Sequence, residues 1–410
     1  MRVAIVSNYN EQCGIASYTG AVLRGLREHT DLDVDVIPID TTLARTKVPS
    51  LKSFKRRHFE EIAEKAAQYE AVNIQFENGI FGASDREVLR HLEMILKRCR
   101  NVSITMHTAD FGFITGGART GLVWFVLYLL RRQFYQARDA LMIFRTSFLQ
   151  KFLRLVHRYR PALIVHTRRE KRLLEKYFGA TNVHVHPLAF LDATARDNIR
   201  ASVDPEGFRR AYGLGHDDRV FALYGFISEY KGHLTAIQAL SALPANWKLL
   251  IVGGQHPASV TRHELVNPYM KQVLEAIETG PAEEGQPALR DRVKFLGAVS
   301  DDDLVAIMAH ADVNVFPYLE TGQSGSGPAS LALEVGSRNL MSRAFVFNEL
   351  AAFAPDCFER FDIGNHLELA QKIRMLTDQP LRRDNPFNRK YSLESNAQFY
   401  RAVMRGEATA

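Results

Sequence analysis

Tyr224-Gly225-Phe226-Ile227-Ser228-Glu229-Tyr230-Lys231-Gly232-His233 reads as the end of a strand running into the start of a helix. Lys231 at such a place adds a point charge to the backbone N–H donors of the helix N-terminus, which suits a diphosphate. A solvated surface lysine is the other reading of this segment alone. The second unusual segment is Pro317 to Gly336, PYLETGQSGSGPASLALEVG. Its loop, with Gln323, Ser324, Gly325, Ser326 and Gly327, is flexible and hydroxyl-rich and leads into a helix, so it can wrap phosphate or sugar oxygens. Glu334 stands in the apolar run LALEVG, where a carboxylate is unexpected and costly to bury unless paired. A ligand diol is one such pairing; the exposed face of an amphipathic helix is the alternative. A third segment, Gly14-Ile15-Ala16 with Tyr18, follows the first strand. A glycine there lets backbone N–H groups approach an anion. With Ala16 and Gln12 there is no GxGxxG, so the dinucleotide fingerprint is absent, and an ordinary tight turn is equally open.

These segments need strands to end at them. Arg2–Ser7, Asp33–Ile39, Ala71–Phe76, Asn101–His107, Leu163–Thr167 and Val183–Pro187 read as strands, alternating with helical patterns. Ala140–Phe144 reads as a strand or a helix end. Asp192 to about Asp218 is polar and reads as a linker. A second set follows: Arg219–Phe226, Lys248–Val252, Val293–Leu296, Val313–Phe316 and Ala344–Phe347, again with helices between. The order predicts an α/β protein of two Rossmann-like, doubly wound domains with an interdomain cleft at their strand ends. The expected boundaries are 1–195, 196–390 and a C-terminal helix in 391–410.

The chain has 410 residues, too many for one ordinary domain. Its 52 Lys and Arg against 46 Asp and Glu give a net charge of +6, too diffuse an excess to argue for nucleic acid. Three scattered cysteines without a CxxC fit neither a disulfide framework nor a cysteine zinc site, and suit a reducing cytoplasm. The N-terminal apolar run is too short for a secretory signal. Leu122–Leu130 is about half the roughly 20 residues a membrane span needs. Between 119 and 160, nine Arg or Lys face a single acid, Asp139, with aromatics interleaved. That mixture suits docking on an anionic membrane surface, or else a core face backed by solvated arginines. No metal site is expected. Asp301, Asp302 and Asp303 open a predicted helix and are explained by N-capping, and His184 and His186 have no carboxylate nearby in sequence.

Four motifs in order, GIASY, SITMHTAD, GFISEYKGH and ETGQSGSGPASLALEVG, make the chain resemble the family-4 retaining glycosyltransferases of the two-Rossmann-domain type called GT-B, in a QSGSG-loop variant. NIQFENGIFG, VHVHP, LLIVGG, RVKFLGAVSDDDL and HADVNVFPY support this, so the resemblance covers nearly the whole chain. The tail YSLESNAQFYRAV resembles the family's last helix, which crosses back onto the N-terminal domain. Two departures stand out: Phe226 where an arginine is common, and Gly327 in place of the first of two glutamates.

The resemblance implies a nucleotide-diphosphate sugar in the C-terminal domain and an acceptor on the N-terminal one. Lys231 would neutralise the leaving diphosphate, and Glu334 would accept from ribose hydroxyls. Gly225 and Ser228 would lie at the diphosphate. Gln323, Ser324, Gly325, Ser326 and Gly327 would hold the sugar and distal phosphate, and Phe295 to Ala298, with Gly297, would lie along the base. Gly14, Ile15 and Tyr18 would close over the phosphates. His107 would contact the donor sugar, with Asp110 beside it; a structural histidine is the other reading of His107. The implied mechanism is front-face attack with the leaving phosphate taking the acceptor proton, without cofactor or metal. GDP-mannose is the favoured donor, and a glycan or lipid-linked glycan of a bacterial surface polysaccharide the acceptor. A non-catalytic subunit of the same fold and a sugar-nucleotide epimerase remain as alternatives.

Overall fold

The computed structural model describes residues 1–11, 13–107, 126–127, 129–130, 148–202, 204–255, 266–280, 287–320, 324–381 and 385–407. The chain divides into unit 1, Met1–His186 with Ala397–Ala410, and unit 2, Pro187–Asn396. Each is built on one six-stranded parallel sheet.

In unit 1 the strands are β1 (Arg2–Ser7), β2 (Asp33–Pro38), β3 (Ala71–Phe76), β4 (Val102–Met106), β5 (Ala162–Val165) and β6 (Val183–Val185). Their order is β2-β1-β3-β4-β5-β6. Every residue of β3, β4 and β5 is buried, and five of six in β1. Such unbroken burial is what a parallel sheet covered by helices on both faces requires, and it explains why these runs are apolar without alternation. The chain reverses direction of travel across the sheet between β1 and β3. Ligands of open α/β sheets bind outside the C-terminal strand ends at such a switch point.

In unit 2 the strands are β7 (Arg219–Tyr224), β8 (Trp247–Val252), β9 (Val293–Gly297), β10 (Val313–Phe316), β11 (Asn339–Ser342) and β12 (Glu359–Phe361). The order is β12-β11-β10-β7-β8-β9, so the switch point lies between β7 and β10. Phe221, Leu249, Ile251, Val315 and Leu340 centre the core, with Ile237, Leu240, Leu369 and Ile373 packed on it from helices.

Three sequence expectations need correction. The division between the units falls after His186 and again after Asn396, rather than after 195 and 390. Residues 187–192 are tied into unit 2: the Phe190 N–H donates to the Glu334 carboxylate and Leu393 N–H to the Leu191 carbonyl. The polar stretch 192–218 is not extended linker but holds helices Ala193–Ala201 and Pro205–Ala211, the first capped by Asp192, which accepts from Ala195 N–H at 2.6 Å. Its polarity marks solvated helix faces. Ala344–Phe347 is not a strand either. The strand is β11, and Phe345–Phe353 is a helix whose first N–H donates to Glu320 at 2.8 Å. The reading also passed over β12 and helices Lys52–Ala66 and His366–Thr377.

The tail helix Leu393–Arg405 starts in unit 2 and ends in unit 1. There Tyr400 is buried, its hydroxyl 2.9 Å from Thr105 Oγ1, and Asn101 Nδ2 donates to the Met404 carbonyl at 2.6 Å. Ala140–Phe144 and most of 119–147 lie outside the described residues. No helix among the described residues is long and apolar enough to cross a membrane.

Candidate functional site

β7 ends at Tyr224 and the chain turns through Gly225 into a short 3-10 turn, Glu229–Lys231, then helix His233–Ser241. β10 ends at Phe316 and runs through Pro317 and Tyr318. Both exits therefore lie at the β7/β10 switch point. The two approach so closely that a Cβ on Gly232, at φ +72°, would meet the Pro317 carbonyl oxygen at 1.9 Å. Gly225, at φ +105°, faces the Lys231 side chain, and a Cβ there would lie 3.2 Å from Cε and 3.3 Å from Nζ.

Lys231 is only 5% exposed. Its ammonium donates to the Tyr318 hydroxyl and lies 4.0 Å from the centre of the Tyr318 ring and 5.0 Å from that of Tyr230. Among the described residues it has no carboxylate partner. Burial lowers its pKa to about 7. The same burial raises the Tyr318 phenol, so this hydroxyl keeps its proton. Tyr318 Oη is 2.8 Å from Ser326 Oγ. Ser326 is the N-cap of helix Gly327–Val335, accepting from Ala329 N–H at 3.4 Å. A cation, a phenol and a cap hydroxyl thus form one chain ending at a helix N-terminus, where backbone donors and helix dipole favour an anion.

Gly225, Lys231, Ser326 and Gly327 are brought together here. Ser324 is buried beside them in sequence, and Gly325 is half-buried. Ser228 caps the 3-10 turn through its carbonyl, which accepts from Lys231 N–H at 3.0 Å. Gly297 ends β9, its carbonyl accepting from Gly253 N–H at 2.8 Å. Glu334 is fully buried, so it does not lie on an exposed helix face. Both carboxylate oxygens accept from Phe190 N–H, at 3.1 and 2.9 Å. It stands at the far end of the helix that Ser326 caps, about 12 Å along at 1.5 Å per residue. In the resembled pattern seven residues separate the two glutamates; here these are 327 to 333, so the position of the missing first glutamate is Ser326 rather than Gly327. Gln323 lies outside the described residues.

Unit 1 carries a second cluster. His107 follows β4, and its Nε2 is 2.7 Å from Gln75 Oε1. Gln75 Nε2 in turn donates to Asn73 Oδ1 at 2.7 Å, which turns Oε1 toward the histidine and makes His107 Nε2 the donor. Tyr18 meets His107 edge-on with ring centres 5.5 Å apart, and meets His166 in the same way. His166 follows β5 and donates from Nδ1 to the His186 carbonyl at 3.0 Å, leaving its buried Nε2 without a hydrogen-bond partner among the described residues. Burial lowers both histidines, His166 to about 4, so both are neutral imidazoles. Gly14 opens the Tyr18 helix, Gly14–His29, exposed and with open space around it, and Ile15 packs against the unit 1 core. Asp110 lies outside the described residues. Sequence reasoning missed Tyr318, His166, Gln75 and Tyr400. His166 carries the same signal as His107, a histidine at a strand end; Tyr318 ends HADVNVFPY, where its residue type alone signals no role.

Residues 218–335 match the protein family described as glycosyl transferases group 1. No curated protein matches the chain in sequence. Among solved structures, Anabaena HepE in complex with UDP and glucose aligns with TM-score 0.66 at 13% identity, over 99% of this chain and 100% of that one. Sucrose-phosphate synthase from Thermosynechococcus elongatus aligns with TM-score 0.62 at 15% identity, over 99% and 100%. The UDP-forming trehalose-phosphate synthase from Burkholderia xenovorans, with glucose-6-phosphate, gives 0.65 at 11%, over 98% and 100%. The fold is GT-B, and residues 218–335 match a glycosyltransferase domain, which supports a transferase.

Proposed function

We propose that the chain is a family-4 retaining glycosyltransferase that takes a hexose from a nucleotide-diphosphate sugar held by unit 2. The acceptor is a glycan or lipid-linked glycan of a bacterial surface polysaccharide. The observation that carries the reading is Lys231: a buried cation without a counter-charge among the described residues, at the switch point, joined to a helix N-terminus. Burying an unpaired lysine is costly, and an arriving diphosphate supplies the missing negative charge. In the transition state, charge builds on the leaving diphosphate, and a fixed ammonium with aligned N–H donors stabilises it there without reorganisation. On this reading no metal is needed. Gly225, Ser228, Gln323, Ser324, Gly325, Ser326 and Gly327 contact the diphosphate and sugar, and Gly297 lies at the base. Glu334 accepts from the ribose; an ionised carboxylate has about four lone-pair sites, so the Phe190 N–H leaves capacity.

The same reading assigns His107, with Asp110, to a sugar hydroxyl, and Gly14, Ile15 and Tyr18 to phosphate. It places the protein in the cytoplasm, docked on the inner face of the membrane through 119–160. The HepE structures hold UDP, UDP with glucose, or UDP-glucose. UDP therefore joins GDP, the nucleotide of the favoured mannose donor, at the head of the test. Melting temperatures are measured with UDP, GDP, ADP and dTDP, for the wild type and Lys231→Ala. A ligand that binds only the folded state raises the melting temperature by mass action. A shift selective for one nucleotide, lost in Lys231→Ala, is expected. No shift with any nucleotide refutes the donor site, and binding without turnover of any sugar nucleotide leaves a non-catalytic subunit.

A further inference from the structure

We propose that Tyr318 is a positioning residue that passes the protonation state of Lys231 on to Ser326, so that the Ser326 hydroxyl offers its proton to a ligand anion only while Lys231 is an ammonium. The inference rests on the reading of unit 2 as a diphosphate site and adds to it a residue and a coupling that the reading lacks.

Three heavy atoms, Lys231 Nζ, Tyr318 Oη and Ser326 Oγ, share a fixed number of protons in each charge state of the lysine. An ammonium has three donors and no acceptor, so Lys231 must donate to Tyr318 Oη. The single phenol proton then goes to Ser326 Oγ, 2.8 Å away. That oxygen also accepts from Ala329 N–H as the helix cap. With both its lone pairs engaged, Ser326 can use its own proton only as a donor elsewhere, at the helix N-terminus where an anion would sit. When Lys231 is a neutral amine the order reverses. Nζ then has a lone pair, and because a phenol O–H is a stronger donor than an amine N–H, Nζ accepts a hydrogen bond from the phenol O–H; Tyr318 Oη accepts from Ser326, and the serine proton points inward. No heavy atom has to move between the two arrangements, and a buried chain of this kind couples its members strongly.

Nothing described opposes the switch. The groups facing Lys231 are the Tyr318 ring from the loop after β10, the Tyr230 ring on its own turn, and His233 on the following helix. His233 is kept neutral by burial, and no described carboxylate pairs with the lysine to fix its charge. Ser342 Oγ donates to the Tyr318 carbonyl at 2.7 Å, which anchors the tyrosine backbone while the hydroxyl remains in the chain.

The test follows Lys231 by NMR, through ¹³C-labelled lysine side chains, in wild type, Tyr318→Phe, Ser326→Ala and the double variant. Titrations are run without ligand and with saturating UDP or inorganic pyrophosphate. Without ligand, Tyr318→Phe is expected to lower the Lys231 midpoint by about one pH unit, the worth of one hydrogen bond to a charged donor. Ser326→Ala lowers it by less. Ligand raises the midpoint in every protein, but by about one pH unit less in either variant than in wild type, and the double variant loses no more than one of them. Coulomb attraction alone would give the same rise in all four, and that result, or an unmoved ligand-free midpoint in Tyr318→Phe, overturns the relay. If the phenylalanine variant fails to fold, Ser326→Ala carries the same comparison. If neither UDP nor pyrophosphate binds wild type, the diphosphate reading falls. The ligand-free midpoints then judge the relay by themselves: lowered, they support it, and unmoved, they sink it.

Discussion

Replacing Lys231 by Met should make the protein more stable at neutral pH and flatten the way its stability changes with pH. Lys231 has a folded-state pKa of about 7 against 10.5 for an ordinary lysine. Between those values the unfolded chain binds the extra proton, so stability rises with pH across this window. A gap of about 3.5 pH units at about 1.4 kcal/mol each makes the charged lysine cost about 5 kcal/mol below pH 7. By pH 9 the remaining cost is about 2 kcal/mol, so wild type should gain about 2 kcal/mol between pH 7 and 9 from this group. Methionine has similar length and no charge, so the variant lacks that slope and at pH 6 should exceed wild type by several kcal/mol, less about 1 for the lost bond to Tyr318. The window belongs to Lys231. The lowered histidines act below pH 6.5, and the raised Tyr224, Tyr318 and Cys99 act from about pH 9 upward. The assay is urea unfolding followed by the fluorescence of Trp247, buried in unit 2, in a Trp124→Phe background that removes the other of the two tryptophans. Stabilities of variant and parent that run parallel from pH 7 to 9 would refute the reasoning, because Lys231 would then be charged at no cost.

Three further outcomes are expected. Gly225→Ala would put a Cβ 3.2 Å from Lys231 Cε at φ +105°, so it should cost about 2 kcal/mol in urea unfolding. Calorimetric titration with UDP should show it weakening nucleotide binding about tenfold as Lys231 is pushed aside. Glu334→Gln turns one acceptor oxygen facing the Phe190 N–H into a donor, and should cost about 1–3 kcal/mol by the same unfolding assay. His166 is neutral in the fold with a pKa of about 4 against 6.5, so stability rises with pH between these values, by about 3 kcal/mol from this residue. His166→Phe should remove that part of the acid sensitivity, measured by circular dichroism between pH 4 and 7.

Much of the fold was legible because a parallel sheet buried on both faces writes its strands as continuous apolar runs, and RVAIVS, AVNIQF and WKLLIV can hardly be anything else. The errors fall where composition and environment part. AFVF is as apolar as any strand, but the Glu320 carboxylate, distant in sequence, caps it as a helix. The stretch after Asp192 is polar because its helices show much of their surface to solvent, a property that helices and linkers share. In the site, Lys231 and the serine loop were visible from residue type and position alone. Tyr318 was not, because a tyrosine after a strand is ordinary until its hydroxyl is seen between the lysine and the helix cap. For Glu334 the sequence left a buried, paired carboxylate and an exposed helix face both open, and Phe190 as the partner depends on a chain reversal no local pattern encodes.

The energetics of Lys231 and the proposed chemistry bear on one another. A lysine exposed to water would stay charged at every working pH and would gain little from a diphosphate, since solvent screens both. A lysine paired with a carboxylate would already have spent its charge. Lys231 is instead surrounded by two tyrosine rings and the space left by Gly225, so its ammonium is tolerated and no described carboxylate compensates it. Bringing a diphosphate to it raises its proton affinity, and binding must then take up a proton near neutral pH. The heat of UDP binding at pH 7.5 should therefore depend on the ionisation enthalpy of the buffer, with an uptake approaching one proton. A buffer-independent heat, with UDP bound, would mean that the ligand finds its charge complement elsewhere in unit 2.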